Sequence, residues 1–173
     1  MVNVPTIITF SRILLIPFFV LVITARPFLG TVIFAIACIT DAVDGYVARK
    51  SKQVTKLGVI LDPIADKLLI ISALIMLVDM ELVPAWIAIV IIVREFLVTG
   101  LRIVALSKDI VIPAETGGKI KTGIQIASIL MLLLSRSYFD IDMYSPGVFL
   151  LWTAMAIGIV SGVRYFVQFK KTE

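Results

Sequence analysis

The chain has 173 residues, of which 60% are hydrophobic, with 16 basic against 12 acidic side chains and a mean hydropathy of +1.09. A soluble domain is about 45–50% apolar, and a soluble fold of this size would be left with a large sticky surface, so the composition points to a lipid bilayer as solvent. The absence of histidine and the single cysteine, Cys38, exclude Ser-His and Cys-His catalysis, histidine metal sites, an internal disulfide and a cysteine-rich metal site.

A helical crossing takes roughly 20 residues, so a chain of this length holds about six with short loops and no separate soluble domain. The apolar runs predict an all-α bundle of six transmembrane helices, one membrane domain over 1–173. The first helix covers about Pro5 to Ala25 and the second about Phe28 to Ala48. The third spans about Gly58 to Val78 and the fourth about Leu82 to Leu106. The fifth runs from about Gly118 to Leu134 and the sixth from about Pro146 to Val167. Pro5, Pro27 and Pro146 sit near helix starts, where a missing N–H costs little, while Pro17 and Pro84 are expected to kink or shift their helices. The first run lacks a cleavage-site pattern of small residues and reads as a retained helix. Cys38 lies in an apolar run and reads as core packing.

Six crossings put both termini on one side. Arg49, Lys50, Lys52 and Lys56 crowd the segment after the second helix, Lys108, Lys119 and Lys121 lie between the fourth and fifth, and Lys170 and Lys171 close the chain. The opposite loops hold Arg26 and Arg136 with Asp79, Glu81, Asp140 and Asp142. The positive-inside rule therefore places both termini and the basic segments in the cytoplasm. The basic residues alternate with apolar runs and form no separate arm, which argues against nucleic acid as a partner.

Four carboxylates interrupt this pattern. Asp41 and Asp44 are three apart near the end of the second helix; Asp62 and Asp66 are four apart near the start of the third. Those offsets put each pair on one helix face, and consecutive antiparallel helices let the pairs meet at one depth. Four close carboxylates repel and are costly in a membrane, so the cluster calls for cations. An all-oxygen set suits Mg²⁺, Mn²⁺ or Ca²⁺, and two such ions serve phosphoryl transfer. The competing readings are helix caps or interfacial side chains for each aspartate alone, and an ion pathway for the set. Gly45, Ala48 and Gly58 keep the space beside the acids narrow, for a flat ligand or for close helix packing. Arg49 offers a fork of donors for a diphosphate.

The stretch Asp41-x-x-Asp44-Gly45-x-x-Ala48-Arg49, eight residues, then Gly58-x-x-x-Asp62-x-x-x-Asp66 resembles the signature of the CDP-alcohol phosphotransferases at every fixed position. The resemblance implies two divalent ions, Mg²⁺ or Mn²⁺, held by Asp41, Asp44, Asp62 and Asp66. It implies that the diphosphate of a CDP-linked lipid sits on those ions, with Asp41, Gly45, Ala48, Arg49 and Gly58 around the nucleotide. An acceptor hydroxyl attacks the β-phosphate and CMP leaves, with Asp66 as general base. The resemblance also implies a homodimer. Three further segments, Asn3 to Arg12, Arg94 to Arg102 and Gly118 to Thr122, look like the branch of the family that uses CDP-diacylglycerol and sn-glycerol-3-phosphate; a sibling with an inositol phosphate or another alcohol as acceptor is the alternative, and a small transporter is the rival outside the family. The acceptor dianion needs cations, and Arg94, Arg102, Lys119 and Lys121 are the candidates. Their plain alternative is headgroup anchoring. Glu95 is expected to pair with an arginine and Lys67 to be a structural ion partner, while Asn3, Thr6 and Arg12 either border the nucleotide or mark the interface.

Overall fold

The computed structural model describes residues 4–51, 56–107, 116–136 and 142–172, and their side chains over 11–40, 64–65, 67–105, 120–136 and 142–171. Among the described residues the chain forms six helices and no strand: α1 (Val4–Ala25), α2 (Pro27–Ser51), α3 (Lys56–Asp79), α4 (Ala85–Ser107), α5 (Thr116–Leu134) and α6 (Tyr144–Thr172). The number and order are those expected from the apolar runs. Pro17 is accommodated inside α1.

Helix α1 lies against α2 and α3, α5 against α6, α2 and α3, and α4 against α6 and α3. Among the described residues α4 and α5 do not approach each other directly, which leaves a space between them. The core runs from Phe19 and Phe34, whose rings stand 5.6 Å apart, through Leu74 and Leu77 to Leu132 and Leu151. Glycine permits the closest approaches. A Cβ on Gly30 would stand 2.6 Å from the backbone Cα of Ile23, and one on Gly147 would stand 2.9 Å from Leu132. Beside that second contact the Ser128 hydroxyl donates to the Gly147 carbonyl, joining α5 to α6.

Many large apolar side chains face outward. Leu21, Ile103 and Phe149 are 73%, 63% and 70% exposed, which a water-facing surface would not tolerate over so much of its area. Hydroxyls on these helices turn inward on their own backbones: Thr31 donates to the Pro27 carbonyl, Ser72 to Leu68, Thr99 to Glu95 and Thr153 to Phe149. A polar group in apolar surroundings needs a partner, and the preceding helical turn supplies one. Over Tyr144–Lys171, α6 is long and apolar enough to cross a membrane; Ser11–Ala25, Pro27–Thr40 and Ile120–Leu134 are shorter apolar segments. Cys38 is half-buried against the core, in keeping with a packing role.

Several boundaries differ from those read from the sequence. Helix α2 continues through Arg49 and Lys50 to Ser51, and α3 starts at Lys56, so most of the basic cluster expected in the connection is helical. Cations in a last turn favour the helix, because they face its partial negative end. Helix α4 begins at Ala85 instead of Leu82 because α3 ends in a Schellman motif: Leu82 N–H donates to the Leu77 carbonyl and Glu81 N–H to the Val78 carbonyl, with Glu81 at φ 57°. Leu82 is buried as the apolar partner of this cap, and Pro84 then precedes α4, its carbonyl accepting from Ile87 N–H. Helix α6 starts before Pro146, at a position where a helical N–H has no intrahelical partner in any case. Its start is capped by Asp142, whose carboxylate accepts from the Tyr144 and Ser145 N–H groups and from the Ser145 hydroxyl at 2.6 Å.

Two tests follow from these termini. A left-handed conformation costs a side-chain-bearing residue about 1–2 kcal/mol, and glycine gives back about 0.5–1 kcal/mol in unfolded-state entropy. Glu81→Gly should therefore raise the thermal midpoint of the detergent-solubilised protein; an unchanged or lower midpoint would refute the strain. The hydrogen bond from the Ser145 hydroxyl, followed by those from the Ser145 and Tyr144 backbone, holds the Asp142 carboxyl below its ordinary value. A carboxyl depressed on folding stabilises above its unfolded value, and the gain is lost as pH falls through the folded one. Asp142→Ala should thus lower the midpoint at neutral pH, with the difference from the parent protein shrinking in acid.

Candidate active site

The signature residues fall on two consecutive helices. Asp41, Asp44, Gly45, Ala48 and Arg49 lie on the last turns of α2, and Gly58, Asp62 and Asp66 on the first turns of α3. Helical backbone through both stretches keeps the spacings of three and four on one face of each helix. The side chains of these eight residues, and that of Lys119 in the first turn of α5, lie outside the described set. Among the described residues no group of three Asp, Glu, His or Cys side chains could hold a metal; the four signature aspartates are not among those residues.

Next to this region α4, α5 and α6 build a network of charged groups. Arg94 reaches from α4 across to α6: its Nε donates to the Gly158 carbonyl at 2.8 Å and its Nη2 to the Ser161 hydroxyl at 3.1 Å. Its Nη1 meets the Glu95 carboxylate at 3.0 Å, and the same carboxylate oxygen pairs with the Lys121 ammonium of α5. Three of the five N–H groups of a guanidinium are thereby engaged. The small residues of α6 make room for this crossing, since a Cβ on Gly158 or Gly162 would already touch Arg94 at 3.6 Å. The Lys121 side chain is only 4% exposed. Glu95 thus pairs with an arginine as expected, and with a lysine that sequence reasoning had kept apart from it.

A cavity of about 370 Å³ fills the space between α4 and α5, backed by α3. Its polar lining is Lys67, Glu95, Arg102, Thr122 and Gln125, and Leu74 and Ile91 are among its apolar wall. Lys67 directly follows Asp66 in α3, so the cavity adjoins the signature. Arg102 lies over the Tyr165 ring of α6, 6.0 Å from its centroid. Arg94 and Lys67 lie close enough to Lys121 to act on it electrostatically, and Arg102 does the same to Arg94. Four cationic side chains therefore gather around one described carboxylate, an arrangement that favours an anion.

Of the expected acceptor cations, Arg94, Arg102 and Lys121 are brought together. Lys67, expected as a structural ion partner, lines the cavity. Arg12 is 2% exposed, enclosed among the helices, and of Thr6 only the helical backbone is described. Asn3 lies outside the described residues. Gln125 was not foreseen, although a lone amide in the middle of an apolar run is a signal in its own right. Ser161, Gly158 and Gly162 were not foreseen either; their spacing of three and four is the small-residue pattern of close helix contacts.

If Arg94 ties α4 to α6 through its fork, Arg94→Lys keeps the charge and loses the tie. A hydrogen bond from a charged donor contributes about 1.5–3 kcal/mol, so the variant should show a clearly lower thermal midpoint in detergent. An unchanged midpoint would mean that only the charge matters.

The family model for CDP-alcohol phosphatidyltransferase matches residues 2–160. The chain is similar to the CDP-diacylglycerol–glycerol-3-phosphate 3-phosphatidyltransferase of Bacillus subtilis (strain 168), at 44% identity covering 96% of this chain and 94% of the relative. It is 38% identical to the protein of that name from Rickettsia felis, over 98% of this chain and 96% of the relative. A probable phosphatidylglycerophosphate synthase of Mycobacterium tuberculosis (strain H37Rv) is 36% identical over 96% of this chain and 81% of its own length. With the signature complete on α2 and α3 and a match that spans nearly the whole sequence, the chain belongs to the CDP-alcohol phosphatidyltransferase family.

Proposed function

We propose that the protein transfers a phosphatidyl group from CDP-diacylglycerol to sn-glycerol-3-phosphate, giving phosphatidylglycerophosphate and CMP. The observation that carries this reading is the position of the cationic cavity, which starts at the residue after Asp66, the last acid of a complete signature. This supports adjoining places for the donor substrate and the acceptor. The names of the relatives support the same pair of substrates.

In this reading all six helices cross the inner or plasma membrane, both termini and the active site face the cytoplasm, and two chains pair as a homodimer. The apolar outer surface and the skew of basic residues toward one set of helix ends support the placement. The donor chemistry of the four aspartates fits hard divalent ions: all offer carboxylate oxygen, and they sit at helical spacings on neighbouring helices. Asp41, Asp44, Asp62 and Asp66 would hold two such ions, Mg²⁺ or Mn²⁺. When bound, the ions supply neutralisation of the donor's diphosphate and of the charge that develops as CMP departs.

The chain's own residues do the rest. Arg49 holds the diphosphate, and Gly45, Ala48 and Gly58 leave a narrow slot for the nucleotide. The acceptor's phosphate is held by Lys121, Arg102, Lys119 and the two N–H groups of Arg94 that its other bonds leave over, with Lys67 close by. Its primary hydroxyl gives its proton to the Asp66 carboxylate while the oxygen bonds to the β-phosphorus; the bond from that phosphorus to the CMP oxygen breaks, and CMP leaves. A carboxylate is the base available in a chain without histidine, and neighbouring acids or a partly dry site raise its proton affinity.

Purified protein should release CMP from CDP-diacylglycerol with glycerol-3-phosphate and not with inositol phosphate, inositol or serine. Excess EDTA should abolish the release, and Asp66→Asn should remove turnover while keeping much of the nucleotide binding. Full turnover in EDTA would sink the two-metal assignment, and normal turnover by Asp66→Asn would sink that of the base.

A further inference from the structure

The cavity between α4 and α5 contains one polar side chain that a phosphate site does not need. Gln125 is 3% exposed, and its side-chain nitrogen has no hydrogen-bond partner in the structure. It lines the cavity four residues after Lys121, one helical turn or about 6 Å further along α5. A buried amide nitrogen without a partner is rare and costly, and the side chain that carries it lines a cavity. The polar groups of the cavity differ in charge: Lys67 and Arg102 are cations and suit a dianion, the Glu95 carboxylate is paired with Arg94 and Lys121, and Thr122 and Gln125 are neutral, Gln125 offering an amide to a neutral oxygen. A hydroxyl both donates and accepts, so it matches the amide whichever way the oxygen and nitrogen are turned.

We propose that Gln125 is a specificity-determining residue that hydrogen-bonds the secondary hydroxyl of a phosphorylated polyol acceptor, the hydroxyl that does not react. This rests on the acceptor assigned above. The cations hold the phosphate nearer the start of α5, and Gln125 reads the carbon chain one turn further along. An acceptor without the secondary hydroxyl leaves the amide buried and unpaired, and a site built to bond a hydroxyl discriminates against the analogue that lacks it. The selection is thus made inside the cavity, apart from the groups that act on the reacting atoms.

The test compares sn-glycerol-3-phosphate with 3-hydroxypropyl phosphate, which keeps the primary hydroxyl and the phosphate and lacks only the secondary hydroxyl. CMP release is measured with purified full-length protein, CDP-diacylglycerol and Mg²⁺. The parent protein should favour glycerol-3-phosphate by at least about 10-fold in kcat/KM. Gln125→Met, close in length and without the amide, should bring the two acceptors within about threefold of each other by lowering kcat/KM for glycerol-3-phosphate alone. Gln125→Asn, which withdraws the amide by one methylene, should also reduce the preference. Equal losses on both acceptors would overturn the proposal, because a structural role predicts them. Equal use of both acceptors by the parent protein overturns it with no variant required. CMP release with neither acceptor overturns the acceptor assignment itself, and this inference with it.

Discussion

A charge enclosed among apolar helices persists only where other groups hold it, and the contact of Arg94, Glu95 and Lys121 is where this bundle meets that demand. One carboxylate on α4 faces two cations, one on its own helix and one on α5. The arginine extends the network to α6 through a backbone carbonyl and a hydroxyl. Helices α4 and α5 do not pack directly among the described residues, so the side-chain bridge spans the gap between them. The cavity exists because that gap is bridged instead of closed. Such networks are poor sources of net stability, since desolvation offsets most of the attraction. Their value here lies in position: they fix cations beside a space that an anion can enter.

The architecture and the chemistry are segregated along the helices. Toward one end of the bundle the contacts are apolar or made to backbone, as with Ser128 on the Gly147 carbonyl and Arg136 on the Met80 carbonyl at 2.6 Å. That second contact places the C-terminal ends of α3 and α5 at one end of the bundle. Toward the opposite ends lie the signature segments of α2 and α3 and the cationic stretches of α4 and α5. Rigid packing at one end thus supports a polar site at the other.

Much of this was legible in the sequence, for identifiable reasons. The six helices could be read because apolar runs of that length have few other uses, and the signature because its spacing is set by helix geometry. Helix ends were less legible. Leu82 and Val83 look like the start of a helix, but a left-handed Glu81 draws them into the cap of the preceding one. Arg49 and Lys50 look like a loop, yet nothing after Ala48 stops the helix. In the site, Arg94 was conspicuous as a charge well inside an apolar run. Its partners on α6 were not, since Gly158 and Ser161 lie 64 and 67 residues away and pair with it only through the packing of α4 on α6. Gln125 was overlooked because attention to charge passes over a neutral amide.

The length of α6 has a consequence of its own. Its 29 residues extend about 44 Å at 1.5 Å each, against a hydrocarbon layer of about 30 Å. The surplus of about 14 Å is taken up by tilt or stands beyond the acyl chains. The last turn carries Lys170 and Lys171, which are at home among anionic headgroups. In a bilayer the tilt of α6 then also sets the depth of Tyr165 and of the Arg102 that rests on it.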